Sequence, residues 1–169
     1  MPRLEKKDLL KWFEAGAKPR SQWKIGTEHE KFVFHKESLE RVGYFDKSGI
    51  SDLLNKLAQE NSWEKILENN NTIALKDDTG ASISLEPGGQ LELSGTPLEN
   101  LHQTCKETGH HPHTVKYALQ DLALSMIGSG YAPRWSTSIQ QWMPNGPYGL
   151  MPNNMPEDGS PGLDSQLST

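Results

Sequence analysis

The sequence predicts an α+β fold, an antiparallel sheet with flanking helices. Two observations carry this. Three segments have the apolar spacing of helices, about residues 4–17, 48–61 and 97–127. Between the second and third, short runs with a two-residue period are joined by turn signals at Asn69-Asn70-Asn71 and Asp77-Asp78-Thr79-Gly80.

The elements follow in order. Leu4 to Ala17 reads as an amphipathic helix whose apolar stripe is Leu9, Leu10, Trp12 and Phe13, stopped at Lys18-Pro19. A strand is expected over about 22–34. Ser48 is placed to cap a second helix running to Asn61, with Leu53, Leu54 and Leu57 on its inner side. Trp63 to Leu67, Thr72 to Lys76, Ala81 to Leu85 and Gln90 to Leu93 read as strands. Pro97 is expected to open a long helix through about Ile127, interrupted near Gly109 to Pro112, and Gly128 to Trp135 reads as a strand with a turn. Residues 136–169 form an irregular Pro/Gly/Asn-rich tail: either a functional loop region or a segment without its packing partners.

Composition narrows the function. At 169 residues, 34% of them hydrophobic, and with a mean hydropathy of -0.70, the chain is poor in apolar residues for a self-contained core. Its net charge is -5 and its basic residues are scattered, which argues against nucleic acid as a partner. One cysteine, Cys105, excludes an intramolecular disulfide. No apolar run approaches the roughly 20 residues that cross a bilayer, so no membrane partner is expected. The opening Met1 to Asp8 lacks the apolar core of a leader, and the expected location is cytoplasmic.

The chemistry is concentrated in Ile25-Gly26-Thr27-Glu28-His29-Glu30-Lys31-Phe32-Val33-Phe34. A strand places Glu28 and Glu30 on one face, roughly 6–7 Å apart, together with Phe32 and Phe34. Two carboxylates on a half-buried face repel one another and lose solvation unless a cation neutralises them. A divalent ion with hard oxygen ligands, Mg2+, fits that need. A water-facing edge strand accounts for the run equally well. The second cluster is Glu86-Pro87-Gly88-Gly89-Gln90-Leu91-Glu92. Gln90 and Glu92 share a face, whereas Pro87, Gly88 and Gly89 interrupt the strand and leave the facing of Glu86 open. The two glycines allow close backbone approach to a ligand, with N–H groups available to phosphate or carboxylate oxygens.

Other residues read more plainly. His110-His111-Pro112-His113 is expected to be a solvated, kinked helical segment, and Cys105 a thiol packed on a helix. His29 points away from the two glutamates. Trp135 and Trp142 are expected to serve packing.

Lys18 to Phe32, Leu85 to Gly95 and Leu101 to Cys105 closely resemble motifs of the plant and proteobacterial type of glutamate–cysteine ligase. With more drift, so do Gly130 to Trp135 and Trp142-Met143-Pro144; the likeness covers about residues 18–164. The resemblance implies a glutamine-synthetase-like catalytic fold, with residues 1–135 as the N-terminal part of the catalytic domain and 136–169 as a truncated part of it. It also implies the cofactors ATP and Mg2+. ATP would phosphorylate the γ-carboxylate of L-glutamate, and the amine of L-cysteine would attack the acyl phosphate, giving γ-glutamylcysteine, the first step of glutathione biosynthesis. Carried over by motif, Glu28, Glu30, Glu86 and Glu92 would bind metal, Glu28 and Glu86 would be catalytic, and Gly88, Gly89 and Gln90 would contact cofactor.

The chain also departs from the pattern. Family members run to well over twice this length, and Asn145 and Pro147 stand where the family has a basic pair. A catalytically incomplete piece that keeps only Mg2+ or nucleotide binding is therefore the alternative, joined by self-association or by a complementing C-terminal fragment. A carboxylate–amine ligase with another amine acceptor is a further one.

Overall fold

The computed structural model describes residues 4–134, 142–150 and 168. Most of the 136–169 tail, and Trp135, lie outside the described residues. The three helices are α1 (Lys6–Ala15), α2 (Ile50–Asn61) and α3 (Leu101–Asp121). The strands are β1 (Glu28–His35), β2 (Glu64–Glu68), β3 (Asn71–Lys76), β4 (Ser82–Leu85), β5 (Leu91–Ser94) and β6 (Leu124–Ile127). They form one antiparallel sheet in the order β2-β3-β4-β5-β1-β6, in agreement with the α+β expectation.

The hairpin turns follow from residues that tolerate left-handed backbone. Asn69 and Asn70 both take positive φ between β2 and β3, and Gly80 does so between β3 and β4. Asp77 closes the second turn by accepting from the backbone of Thr79 and Ala81.

One sheet face is covered. Leu53, Leu54 and Leu57 of α2, with Val115, Ala118 and Leu119 of α3, pack on Val33, Leu75, Ile83, Leu85, Leu91 and Leu93. Strand parity accounts for the choice in β4 and β5, where these residues alternate with polar ones; Val33 lies instead between Phe32 and Phe34.

Several expectations are corrected. The helix expected through Ile127 stops at Asp121, and Leu124–Ile127 is instead an edge strand paired with β1. Ala123, with φ 55, makes the reversal without a glycine or proline to announce it. The helix begins at Asn100, not Pro97; the Asn100 side chain accepts from the N–H groups of His102 and Gln103. It also runs unbroken through Pro112. Gly49, not Ser48, sits at the N-cap of α2; a Cβ there would meet the Asp46 carbonyl oxygen at 2.6 Å. The first strand starts at Glu28, preceded by an isolated bridge between Ile25 and Leu98. Within 128–134 only Tyr131 makes a β-type pairing, a bridge to Ser168. Helix α1 buries none of its residues, and Trp12 and Phe13 are 74% and 72% exposed.

Candidate functional site

The sheet face turned away from α2 and α3 carries the polar half of the alternation in β4 and β5, and Glu28 and Glu30 of β1. Glu30 and Glu92 are register partners on β1 and β5, which sets their Cβ atoms roughly 4.5–5.5 Å apart, and Glu28 lies opposite Ser94. Ser84 on β4 pairs with Glu92 from the other side. The Glu92 carboxylate accepts from Ser84 Oγ at 3.2 Å and from Ser94 Oγ at 2.8 Å, so two hydroxyls fix its orientation.

Glu86 joins this group through the turn between β4 and β5. The backbone closes with Gly89 N donating to Glu86 O at 2.8 Å and Glu86 N to Gln90 O at 3.0 Å. Gly89 has φ +84, and a Cβ on it would meet Met143 Cε at 2.9 Å. Arg41 donates to the Gly88 carbonyl at 2.9 Å and braces the turn. The Glu86 carboxyl is thereby brought close enough to Glu92 for each to oppose the other's charge.

The four glutamates of the two sequence clusters thus converge. Burial, then Glu92, Glu30 and Glu28, raise the Glu86 carboxyl to about 7. Burial, then Glu92 and Glu28, also raise Glu30 above its ordinary value. Among the described residues, Oε2 of Glu30 is buried without a hydrogen-bond partner. Burial and crowding by like charges both favour the neutral form of such carboxyls. Among the described residues no three His, Cys, Asp or Glu side chains are already set around a metal position. All four are hard oxygen donors, the chemistry that a Mg2+ ion would take.

Gly88, Gly89 and Gln90 are placed differently from the open loop anticipated. All three are buried, the Gly89 N–H is used inside the turn, and Gln90 Nε2 donates to the Ser168 carbonyl at 2.9 Å. His29 faces α3, its Nε2 3.1 Å from Thr108 Oγ1, as its parity implies. Cys105 is exposed, contrary to the packed thiol expected. Of the histidine cluster, His110 and His113 are solvated but His111 is 3% exposed, and burial pushes it down to about 4. Trp142 is half-buried.

Sequence reasoning missed four contributors. Tyr148 donates to the Leu85 carbonyl at 2.8 Å, and burial, with Glu86 and Glu92 adding to it, pushes its phenol up to about 12. Arg41 carries no motif of its own. Ser84 and Ser94 share the parity of Glu92, a signal that period-two reading contains.

A protein-family model described as glutamate-cysteine ligase family 2 (GCS2) matches residues 24–169. Over 166 residues, the chain is 47% identical to glutamate–cysteine ligase B, chloroplastic, of Oryza sativa subsp. japonica, covering 98% of this chain and 33% of that protein. The corresponding protein of Brassica juncea is 44% identical, with 98% and 32% covered, and that of Arabidopsis thaliana 43%, with 98% and 31%. The chain spans about a third of the length of these curated relatives. Their names place them in the chloroplast, which overturns the cytoplasmic expectation. Composition and a lone cysteine report tolerance of a reducing compartment and carry no address.

Proposed function

We propose, from a chain that belongs to glutamate–cysteine ligase family 2, that its open sheet face is the metal and phosphate-binding part of a ligase making γ-glutamylcysteine. The observation that carries this reading is the convergence of Glu28, Glu30, Glu86 and Glu92 from two strands and one turn. Residues 1–135 form the N-terminal part of the catalytic domain in this reading, and a plastid location follows the relatives' names.

Glu28, Glu30, Glu86 and Glu92 would hold Mg2+. The ion would supply charge neutralisation for the ATP phosphates and for the acyl phosphate of glutamate. Ser84 and Ser94 keep the Glu92 carboxylate turned into the site. Arg41 and Met143 hold the 86–89 turn so that Glu86 stays on the same face, and Tyr148 lies over that turn and keeps water from Glu86. Glu28 is the most exposed of the four and sits where substrate arrives; Glu28 and Glu86 are the residues assigned to the reacting phosphate. Gly88, Gly89 and Gln90 support the site from below. In the reaction, a γ-carboxylate oxygen of L-glutamate attacks the terminal phosphorus of ATP and ADP leaves. The amine of L-cysteine then attacks the acyl carbon, and inorganic phosphate leaves as the amine loses a proton.

Incubation of the purified chain with L-glutamate, L-cysteine and Mg-ATP is expected to give γ-glutamylcysteine and ADP in equal amounts. Absence of product above background removes the activity from this chain.

The coverage of only a third of each relative favours a second reading, in which the chain binds Mg2+ and nucleotide without turnover and works by self-association or with a complementing C-terminal fragment. Mg2+-dependent nucleotide binding without product, converted to turnover by the C-terminal two-thirds of a relative, distinguishes it from the first.

A further inference from the structure

Along β1 the open face changes from carboxylate to aromatic. Glu28 and Glu30 are followed on the same face by Phe32 and Phe34, each step roughly 6–7 Å. Phe32 faces Ile127 across the β1–β6 pairing, and Phe34 faces Ser125. Phe32, Phe34, Leu39, Ile127, Pro133 and Arg134 line a cavity of about 140 Å³ that opens to solvent. Phe32 is fully buried beneath it, with Ala132 packed against the ring, and Phe34 is the partly exposed aromatic. Arg134 is the only charged side chain of the six, and it is exposed.

We infer that this cavity is the acceptor subsite, taking the side chain of a small apolar or thiol-bearing L-amino acid whose α-carboxylate pairs with Arg134. The inference rests on the ligase reading, to which it adds the place of the amine substrate. Three properties of the cavity fit that chemistry. An apolar cavity of about 150 Å³ accepts benzene, so one of this size takes a side chain of two or three heavy atoms with room to spare. Sulfur packs favourably against aromatic rings, and Phe34 supplies one. A lone guanidinium at the edge of an apolar cavity matches a carboxylate through paired hydrogen bonds. A ligand anchored this way has its amine free to point along β1 toward Glu30, one strand step from Phe32. The glutamates would attract the ammonium form on approach.

Binding of four small molecules, with Mg2+ and ADP present, tests the assignment in the full chain. L-cysteine and L-2-aminobutyrate carry both the carboxylate and a small side chain, cysteamine lacks the carboxylate, and L-aspartate has a charged side chain. L-cysteine and L-2-aminobutyrate are expected to bind and L-aspartate not to. Arg134→Gln should weaken L-cysteine by about tenfold or more and leave cysteamine within about twofold. Phe34→Leu, which keeps the apolar volume and removes the ring, should weaken both thiols while leaving Mg-ATP unchanged; Phe34→Ala gives the same order with a larger loss. Equal losses for L-cysteine and cysteamine in Arg134→Gln, or no loss in either variant, overturn the subsite. Weakening of Mg-ATP by Phe34→Leu also overturns it and assigns the cavity to the base. The ligase reading fails separately, when Mg-ATP binding ignores Glu30→Gln while L-cysteine still follows Arg134 and Phe34.

Discussion

On β1, His29, Lys31 and Val33 turn toward α2 and α3, and Glu28, Glu30 and Phe32 turn away from them. The first side is closed by apolar packing, and the second carries the crowded charges at its Glu28 end and a buried Phe32 further along. The difference separates stability from chemistry within one eight-residue strand. Burial on the helix side is what holds β1 in register, and the same register places Glu30 against Glu92 at an electrostatic cost that a folded core can bear.

Four measurements break or sharpen that contrast. The largest effect belongs to the covered side. Leu54→Ala, at a fully buried position, should cost about 2–5 kcal/mol in chemical denaturation. A loss below 1 kcal/mol would mean that α2 does not hold the sheet.

Next comes the acid response of the same side. His111 is buried and held near 4, below its ordinary 6.5, so the folded state resists its protonation. The stability this gives is fully present above pH 6.5 and is lost as pH falls through about 4, on the order of 3 kcal/mol. His111→Leu should flatten that acid limb in thermal melts; an unchanged limb would assign acid sensitivity to other groups.

On the open side, Glu30→Gln should leave the apo protein as stable as before, or more so, because it removes a repelled carboxylate. It should weaken Mg2+ binding about tenfold, some 1.4 kcal/mol, read as a smaller Mg2+-induced rise in Tm. A wild-type Mg2+ response in this variant removes Glu30 from the ligand set.

The smallest effect runs opposite to that of His111. Glu86 is raised to about 7, so its contribution is fully present below 4.5 and is lost as pH rises through 7. Allowing for solvent screening, the change is about 1 kcal/mol, removed by Glu86→Gln and offset by Mg2+. A metal-free protein that gains stability over that range in both forms contradicts the carboxylate crowding.

Much of this arrangement was legible in the sequence. Period-two alternation identified the faces of β1 and β5, and the asparagine and glycine turns located β2, β3 and β4. The facing of Glu86 was not legible, because it depends on a turn braced by Arg41 and Met143, both remote in sequence. Strand β6 was hidden because Leu122 to Ile127 continues the apolar content of α3, and only the backbone of Ala123 divides them. His111 was hidden because three neighbouring histidines read as polar, while helical phase turns one of them inward. The stripe of α1 was legible as a stripe. What covers it was not, since periodicity states that a face is apolar and is silent on its partner.

Pro112 divides α3 into unequal halves. Having no N–H, it leaves the Thr108 carbonyl without its helical donor, at the residue whose hydroxyl also meets His29. The buried residues of the helix begin at His111 and continue with Val115, Ala118 and Leu119, and none precedes them. Amide protons of the first half therefore exchange with solvent through local fraying, on a timescale set by that half alone. Those of the second half wait for the opening of the core beneath. Deuterium uptake along this one helix would trace the two regimes, with the boundary at the proline.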